Sequence, residues 1–211
     1  LTHEILEGFT ANELRGVSTN AVTARPKGII DGNDYFFAGK AERIDLAHLE
    51  GLLVQGNIPV IPPLGFDREG NTYRLNSDDL AREVAVKLKA AKLIYVTTHD
   101  GLIHNGEVIR QIPNGKLDQI LEKEPSSLQP DQLAKAHNSA TACRDGIPRV
   151  HLINGSVHEG LLAEVFSNTG IGTLVYANEY RQIRQAKKID LSSIVASTKN
   201  AVEAAELADR S

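Results

Sequence analysis

Arg149-Val-His-Leu-Ile-Asn-Gly-Ser-Val-His-Glu-Gly-Leu-Leu-Ala-Glu-Val-Phe-Ser-Asn-Thr-Gly-Ile-Gly-Thr173 is the most informative segment of the chain. Its apolar start reads as a buried strand, followed by a glycine turn, a short helix, a second glycine turn and the beginning of another strand. His151, Glu164 and Gly170 lie along it at fixed spacing.

The chain upstream extends the same alternation. Ile58–Ile61 is a buried strand whose prolines place it near a sheet end or edge. Asn76-Ser77-Asp78-Asp79 supplies an N-cap with acids in the first turn, and Leu80, Val84 and Leu88 mark one face of the helix that follows. The near-continuous apolar run of Lys92–Thr98 fits a parallel strand covered on both faces. Ile103–Ile112 is predicted as a hairpin, because Asn105-Gly106 accepts the positive φ of a type I′ turn. Asp131–Arg144 is predicted as a helix closed by Gly146, with Pro148 just beyond. Nearer the N-terminus, Thr19–Ala24 alternates as a strand, Asp31-Gly32-Asn33-Asp34 is a turn, and Leu46–Leu53 repeats with helical spacing up to a cap at Gly56. Strand and helix succeed one another through Ala177, which is the α/β signature with sites beyond the C-terminal ends of parallel strands.

Bulk properties narrow the function classes. The 211 residues carry 23 basic and 27 acidic side chains, a net charge of −4 without any Lys/Arg block, so a nucleic-acid partner is not expected. The longest apolar run, Ile58–Leu64, is far short of the ~20 residues a membrane-spanning helix needs, so no membrane partner is expected. The single Cys143 cannot form an internal disulfide and no secretory leader is visible, which makes a cytoplasmic location the default. Cys143 sits among alanines on a helix, where it reads as a small packed apolar residue. His151 and His158 have no Cys or third His nearby, so a zinc site is not expected. The chain starts at Leu1 and contains no Met, which leads to the expectation of a piece of a longer protein.

The Arg149–Thr173 stretch resembles the C-terminal part of the amino-acid-kinase fold in N-acetylglutamate kinases and N-acetylglutamate synthases. That resemblance implies a mainly parallel central sheet with helices on both faces, incomplete at its N-terminus. In arginine-regulated members the His, Glu and first Gly at this spacing help form the effector pocket, which implies L-arginine binding by His151, Glu164 and Gly170. The chemistry fits: a carboxylate matches a planar guanidinium bidentately, and glycine lets backbone approach a ligand without a Cβ in the way. His151, at the end of a strand, adds a polar contact. A helix-surface Glu, a cap Gly and a satisfied His is the plain structural alternative.

Two kinase positions are recognisable. Asn76-Ser77-Asp78 is similar to the Asn-Ala-Asp that opens a helix in N-acetylglutamate kinase, where the Asp organises groups around the transferred phosphoryl; complementing a helix dipole is the alternative for Asp78. Lys135 has the spacing of the kinases' phosphate-contacting lysine, but Pro130-Asp131-Gln132 replaces its glycine-rich motif, and a solvated helix lysine is the better reading. Arg74 stands where the kinases hold substrate with Asn. Thr97-Thr98-His99-Asp100-Gly101 keeps only Thr97 and Gly101 of a nucleotide-contacting loop, and nucleotide binding is not expected. Asp78 and Lys135 are therefore read as vestigial.

The tail favours the synthases. Tyr73-Arg-Leu-Asn-Ser-Asp78, His158-Glu-Gly-Leu-Leu162 and Ala177-Asn-Glu-Tyr180 resemble bacterial N-acetylglutamate synthases, and Ile183-Arg-Gln-Ala-Lys-Lys-Ile-Asp-Leu-Ser-Ser-Ile194 resembles the opening of an acetyltransferase domain. The division implied is residues 1–178 for the kinase-like domain and 179–211 for a linker and the start of the acetyltransferase. The family resemblance further implies L-glutamate and acetyl-CoA as substrates of the missing domain, no cofactor in this chain, L-arginine as effector, and a homo-oligomer, hexameric in the family. N-acetylglutamate kinase is the alternative.

Overall fold

A computed structural model of the chain describes residues 1–166 and 170–177, all of which belong to one compact unit. The expected domain boundary at residue 178 and the acetyltransferase-like segment 179–211 lie outside the described residues.

Helix α1 (Thr2–Ala11) leads into β1 (Gly16–Ser18). A Cβ on Gly16 would collide with the Phe9 ring, so glycine permits this helix to lie close to the strand. Strand β2 (Val22–Pro26) is followed by the small hairpin β3 (Ile29–Ile30) and β4 (Asn33–Asp34), then by β5 (Gly39–Ile44), which returns antiparallel to β2. Helix α2 (Leu46–Val54) starts at Asp45, whose carboxylate accepts the His48 N–H at 3.1 Å, and the chain turns out of it at Gly56 with φ +75°. Strand β6 (Ile58–Val60) runs parallel to β1 and, among the described residues, pairs with that strand alone, as its prolines predict.

Strands β7 (Leu64–Phe66) and β8 (Thr72–Arg74) form a hairpin that extends the β2–β5 pair into a sheet of order β5-β2-β7-β8. Asp67 ties the hairpin loop, accepting the backbone N–H of Glu69 and Asn71 at 2.9 and 2.8 Å and the Tyr73 hydroxyl at 3.0 Å. The Asn71 side-chain amide also donates to Asp67, at 2.9 Å, and leads these bonds in holding the Asp67 carboxyl below its ordinary pKa. Leu49, Val22, Leu75 and Leu80 form the buried core beneath this sheet.

Helix α3 (Ser77–Lys87) begins as expected, with Asn76 Oδ1 accepting the N–H groups of Asp78 and Asp79 at 3.0 Å. Beyond it come β9 (Leu93–Thr97), β10 (Leu102–His104), β11 (Glu107–Ile109), β12 (Gln111–Pro113), α4 (Asn114–Lys123), α5 (Leu133–Arg144), β13 (Arg149–Asn154), α6 (Gly160–Phe166) and β14 (Thr173–Tyr176). Their sheet has the order β12-β14-β13-β9, parallel at β12–β14 and β13–β9 and antiparallel at β13–β14.

Alternation along β13 puts helices on both faces of this sheet. Val150 and Leu152 point into the core shared with Leu117 of α4 and Ala136 and Ala140 of α5, while His151 points the other way, to α6. Each fully buried Leu in that core contributes roughly 1.5–3 kcal/mol over an exposed one. The fold is α/β, with parallel strand pairs and, among the described residues, six α-helices.

Two expectations need correction. The hairpin closes at Ile109 instead of Ile112, because Gln111–Pro113 leaves it to pair with β14. Asn105 and Gly106 hold its turn at φ +51° and +85°, as a type I′ turn requires. Strand β9 is not covered on both faces: it is the last strand of its sheet, and Val96 is 61% exposed.

Candidate functional site

Two side-chain clusters hold the residues singled out in the sequence. The first lies between β13, α6 and the turn into β14. His151 Nδ1 stands 2.8 Å from Glu164 Oε1, and both residues are buried. Glu164 Oε2 accepts the backbone N–H of Ile171 at 2.6 Å and of Gly172 at 2.8 Å. Gly170 adopts φ +61°, and a Cβ there would lie 2.8 Å from Glu164 Oε2. A Cβ on Gly172 would overlap the carbonyl of Leu152. Both glycines are therefore required for the turn to close over the carboxylate.

The electrostatics follow from these contacts. Burial alone would raise the Glu164 pKa, but hydrogen bonds from His151, Gly172 and Ile171 together outweigh it and hold the carboxyl below its ordinary value. Glu164 is thus an anion at neutral pH. A carboxylate can only accept, so the contact places a ring proton on Nδ1. His151 Nε2 is buried and has no hydrogen-bond partner among the described residues. His151 is not at a strand end as expected; it is the third residue of β13, held there by pairing with β9 and β14. An apolar groove of about 470 Å³, lined by Glu159, Leu162, Ala163 and Phe166, runs along a neighbouring face of α6. Among the described residues His158 makes no bond to this cluster, and Cys143 is buried, with its thiol pushed up to about 11 by desolvation.

The second cluster joins α3 to α5. Lys135 Nζ stands 2.6 Å from Asp78 Oδ2, with about a quarter and a fifth of the two side chains exposed. Lys135 is therefore not the solvated lysine expected from its helix alone: the packing of α3 beside α5 brings it to Asp78. Tyr95 supports the pair from β9, its hydroxyl donating to the Asp78 carbonyl at 3.1 Å and its ring 5.9 Å from Lys135 Nζ. Burial raises the Tyr95 phenol far above its usual range, so it stays a donor.

Beside this pair, at the C-terminal ends of the parallel strands β9 and β13, lies a cavity of about 530 Å³. Thr97, His99, Gly101, Asp131 and Lys135 are among its walls. His99 Nε2 and Asp131 Oδ2 meet at 2.7 Å. The buried Gln132 fixes the loop, accepting the Ile103 N–H and donating to the Gly101 carbonyl, each at 2.8 Å. Pro130-Asp131-Gln132 thus serves as a single turn of 3-10 helix in which Gln132 staples two segments. Nothing in the local pattern foretold that role, because its partners lie 29 and 31 residues away.

Among the described residues, no group of three or more His, Cys, Asp or Glu is placed to hold a metal ion, and no helix is long and apolar enough to cross a membrane.

The α/β topology has relatives among known proteins. The chain belongs to the Amino acid kinase family, which matches residues 3–154. It is 35% identical over 193 residues to the amino-acid acetyltransferase of Vibrio atlanticus, covering 88% of this chain and 43% of that protein. It is also 35% identical over 142 residues to the acetylglutamate kinase of Kosmotoga olearia, covering 67% of this chain and 50% of that one. Among solved structures, N-acetylglutamate synthase from Neisseria gonorrhoeae in complex with coenzyme A and L-arginine is similar over 94% of this chain and 45% of its own, with a TM-score of 0.76 and 33% identity. The chain spans half or less of the length of these relatives.

Proposed function

We propose that the chain is the arginine-sensing, amino-acid-kinase-like domain of an N-acetylglutamate synthase, and that residues 179–211 open its acetyltransferase domain. The parent enzyme transfers acetyl from acetyl-CoA to L-glutamate in the first step of arginine biosynthesis and works as a homo-oligomer. The kinase-like domain itself is silent in phosphoryl transfer and uses no cofactor. Likeness to the Vibrio acetyltransferase and the gonococcal synthase over most of this chain supports the assignment.

The observation that carries the effector reading is the convergence of His151, Glu164 and Gly170 around one buried, ionised carboxylate. A guanidinium offers Glu164 a charge-assisted fork in place of the backbone N–H groups of Ile171 and Gly172, and His151 Nε2 is left as a further polar group for the ligand. Exchanging those backbone partners shifts the turn into β14 relative to α6, which is how a small effector biases two states of a domain. The test is glutamate-dependent release of free CoA by the full-length parent protein, titrated with arginine. Acetyl transfer that responds to arginine, with the response lost in Glu164→Gln, supports the reading. Acetyl transfer indifferent to arginine removes it.

A second reading, N-acetylglutamate kinase, draws on the Asp78–Lys135 contact and the Kosmotoga relative. Arg74 and Pro130-Asp131-Gln132 count against it. ATP turnover that depends on N-acetylglutamate decides between the two.

A further inference from the structure

Arg25 on β2 stands directly opposite Lys40 on β5, and like charges facing each other across a ladder destabilise it. Both cations, with Lys27 just beyond β2, line a cavity of about 300 Å³ whose far wall is the face of α3 carrying Asp79, Arg82 and Glu83. Gly39 lines the same cavity; a Cβ there would lie 2.6 Å from Tyr73 Cβ and 3.0 Å from the Arg25 carbonyl, so the wall holds its shape only with glycine.

On the helix side, two of the three charges are spoken for. Arg82 donates to Asn138 at 3.0 Å and to Asp145 at 3.3 Å, and Asp79 accepts from Asn138 at 3.0 Å. Arg25, Lys27, Lys40 and Glu83 have no oppositely charged partner within 4.0 Å among the described residues. Lys27 Nζ instead stands 5.6 Å from the centre of the Tyr35 ring. A cross-strand pair of cations beside a third is a local conflict that folding does not require, and such conflicts collect at binding sites.

We infer that this cavity binds a small acidic amino acid. Its two carboxylates meet Arg25, Lys27 and Lys40, where Arg25 supplies the bidentate fork, and its ammonium meets Glu83. A simple dianion would leave Glu83 facing negative charge, which is why the ammonium belongs in the ligand. This site shares no residue with the His151–Glu164 cluster and does not depend on the arginine reading.

Calorimetry on the 211-residue chain tests it, with L-glutamate, L-aspartate, glutarate and inorganic phosphate titrated separately. One of the two amino acids should bind saturably, and glutarate, which lacks the ammonium, at least about tenfold more weakly, the loss of one charge-assisted contact. Lys40→Ala should weaken binding by about the same factor. Glu83→Gln should erase the preference for the amino acid over glutarate. Arg25→Glu should abolish binding yet raise the thermal midpoint, because it sets opposite charges across the ladder, so the loss cannot be ascribed to unfolding. No saturable binding, equal binding of glutarate or phosphate, or binding untouched by Arg25→Glu overturns the proposal. Amino-acid binding lost in Glu164→Gln but kept in Arg25→Glu overturns it too, since the ligand would then sit at the other cluster.

Discussion

His151 Nδ1 and Glu164 Oε1 are 2.8 Å apart in a buried contact between β13 and α6, and the second oxygen of the same carboxylate closes the turn into β14. One carboxylate therefore ties strand, helix and turn together. Truncating it strands three donors in a dry site. Glu164→Ala should cost about 3 kcal/mol of stability or more, since each stranded buried donor costs roughly 1–3 kcal/mol. Glu164→Gln, which keeps an acceptor, should cost about 1–3 kcal/mol. Urea unfolding of the two variants checks the order.

The same contact sets an acid limb. The Glu164 carboxyl is held below its ordinary value in the folded protein, so the unfolded chain binds its proton more readily. The stabilisation is complete above the unfolded value of about 4.3 and is lost as pH falls through the lower folded value. Thermal midpoints followed from about pH 6 to about pH 3 should fall less steeply in Glu164→Gln than in the unaltered chain. Parallel curves would contradict the shift.

Gly170→Ala combines two penalties, a left-handed φ of +61° and a methyl group pressed toward the Glu164 carboxylate. The backbone share alone is about 1–2 kcal/mol. Chemical denaturation should show at least that loss, whereas Gly115→Ala, whose Cβ would meet nothing within 4 Å, should be close to neutral.

Local signals in the sequence carried the fold a long way. The Asn76 cap, the Asn105-Gly106 turn and the helix closed by Gly146 are set by nearby residues and could be read directly. The β7–β8 hairpin was missed because its strands are three residues long, too short for a period to register. Helix α1 was missed too, although Ile5, Leu6 and Phe9 fall at helical spacing: it has no capping side chain to mark its start, and the packing of Leu6 and Phe9 on Gly16 shows only in the structure. In the site, residue types and spacing singled out His151, Glu164 and Gly170, but not how fully Glu164 is engaged, since two of its donors are backbone groups of Ile171 and Gly172. Lys135 illustrates the same limit: its partner Asp78 lies 57 residues away, and only the packing of α3 on α5 reveals the pair.

That pair should be measurable. A double-mutant cycle of Asp78→Asn and Lys135→Ala should give a coupling of about 0.5–2 kcal/mol, above that of an exposed pair because both side chains are mostly covered. Coupling near zero would mean that the 2.6 Å contact is not maintained in solution.

Calorimetry with arginine and lysine titrated in parallel asks whether L-arginine binds at the His151–Glu164 cluster. Arginine should bind, and lysine much more weakly, because a point-charge ammonium cannot fill the planar fork. Glu164→Ala should weaken arginine by about 2–5 kcal/mol, and Glu164→Gln by less, each measured at a temperature where the variant is folded. Equal affinity for arginine and lysine, or arginine binding unchanged in both Glu164 variants, would contradict the account.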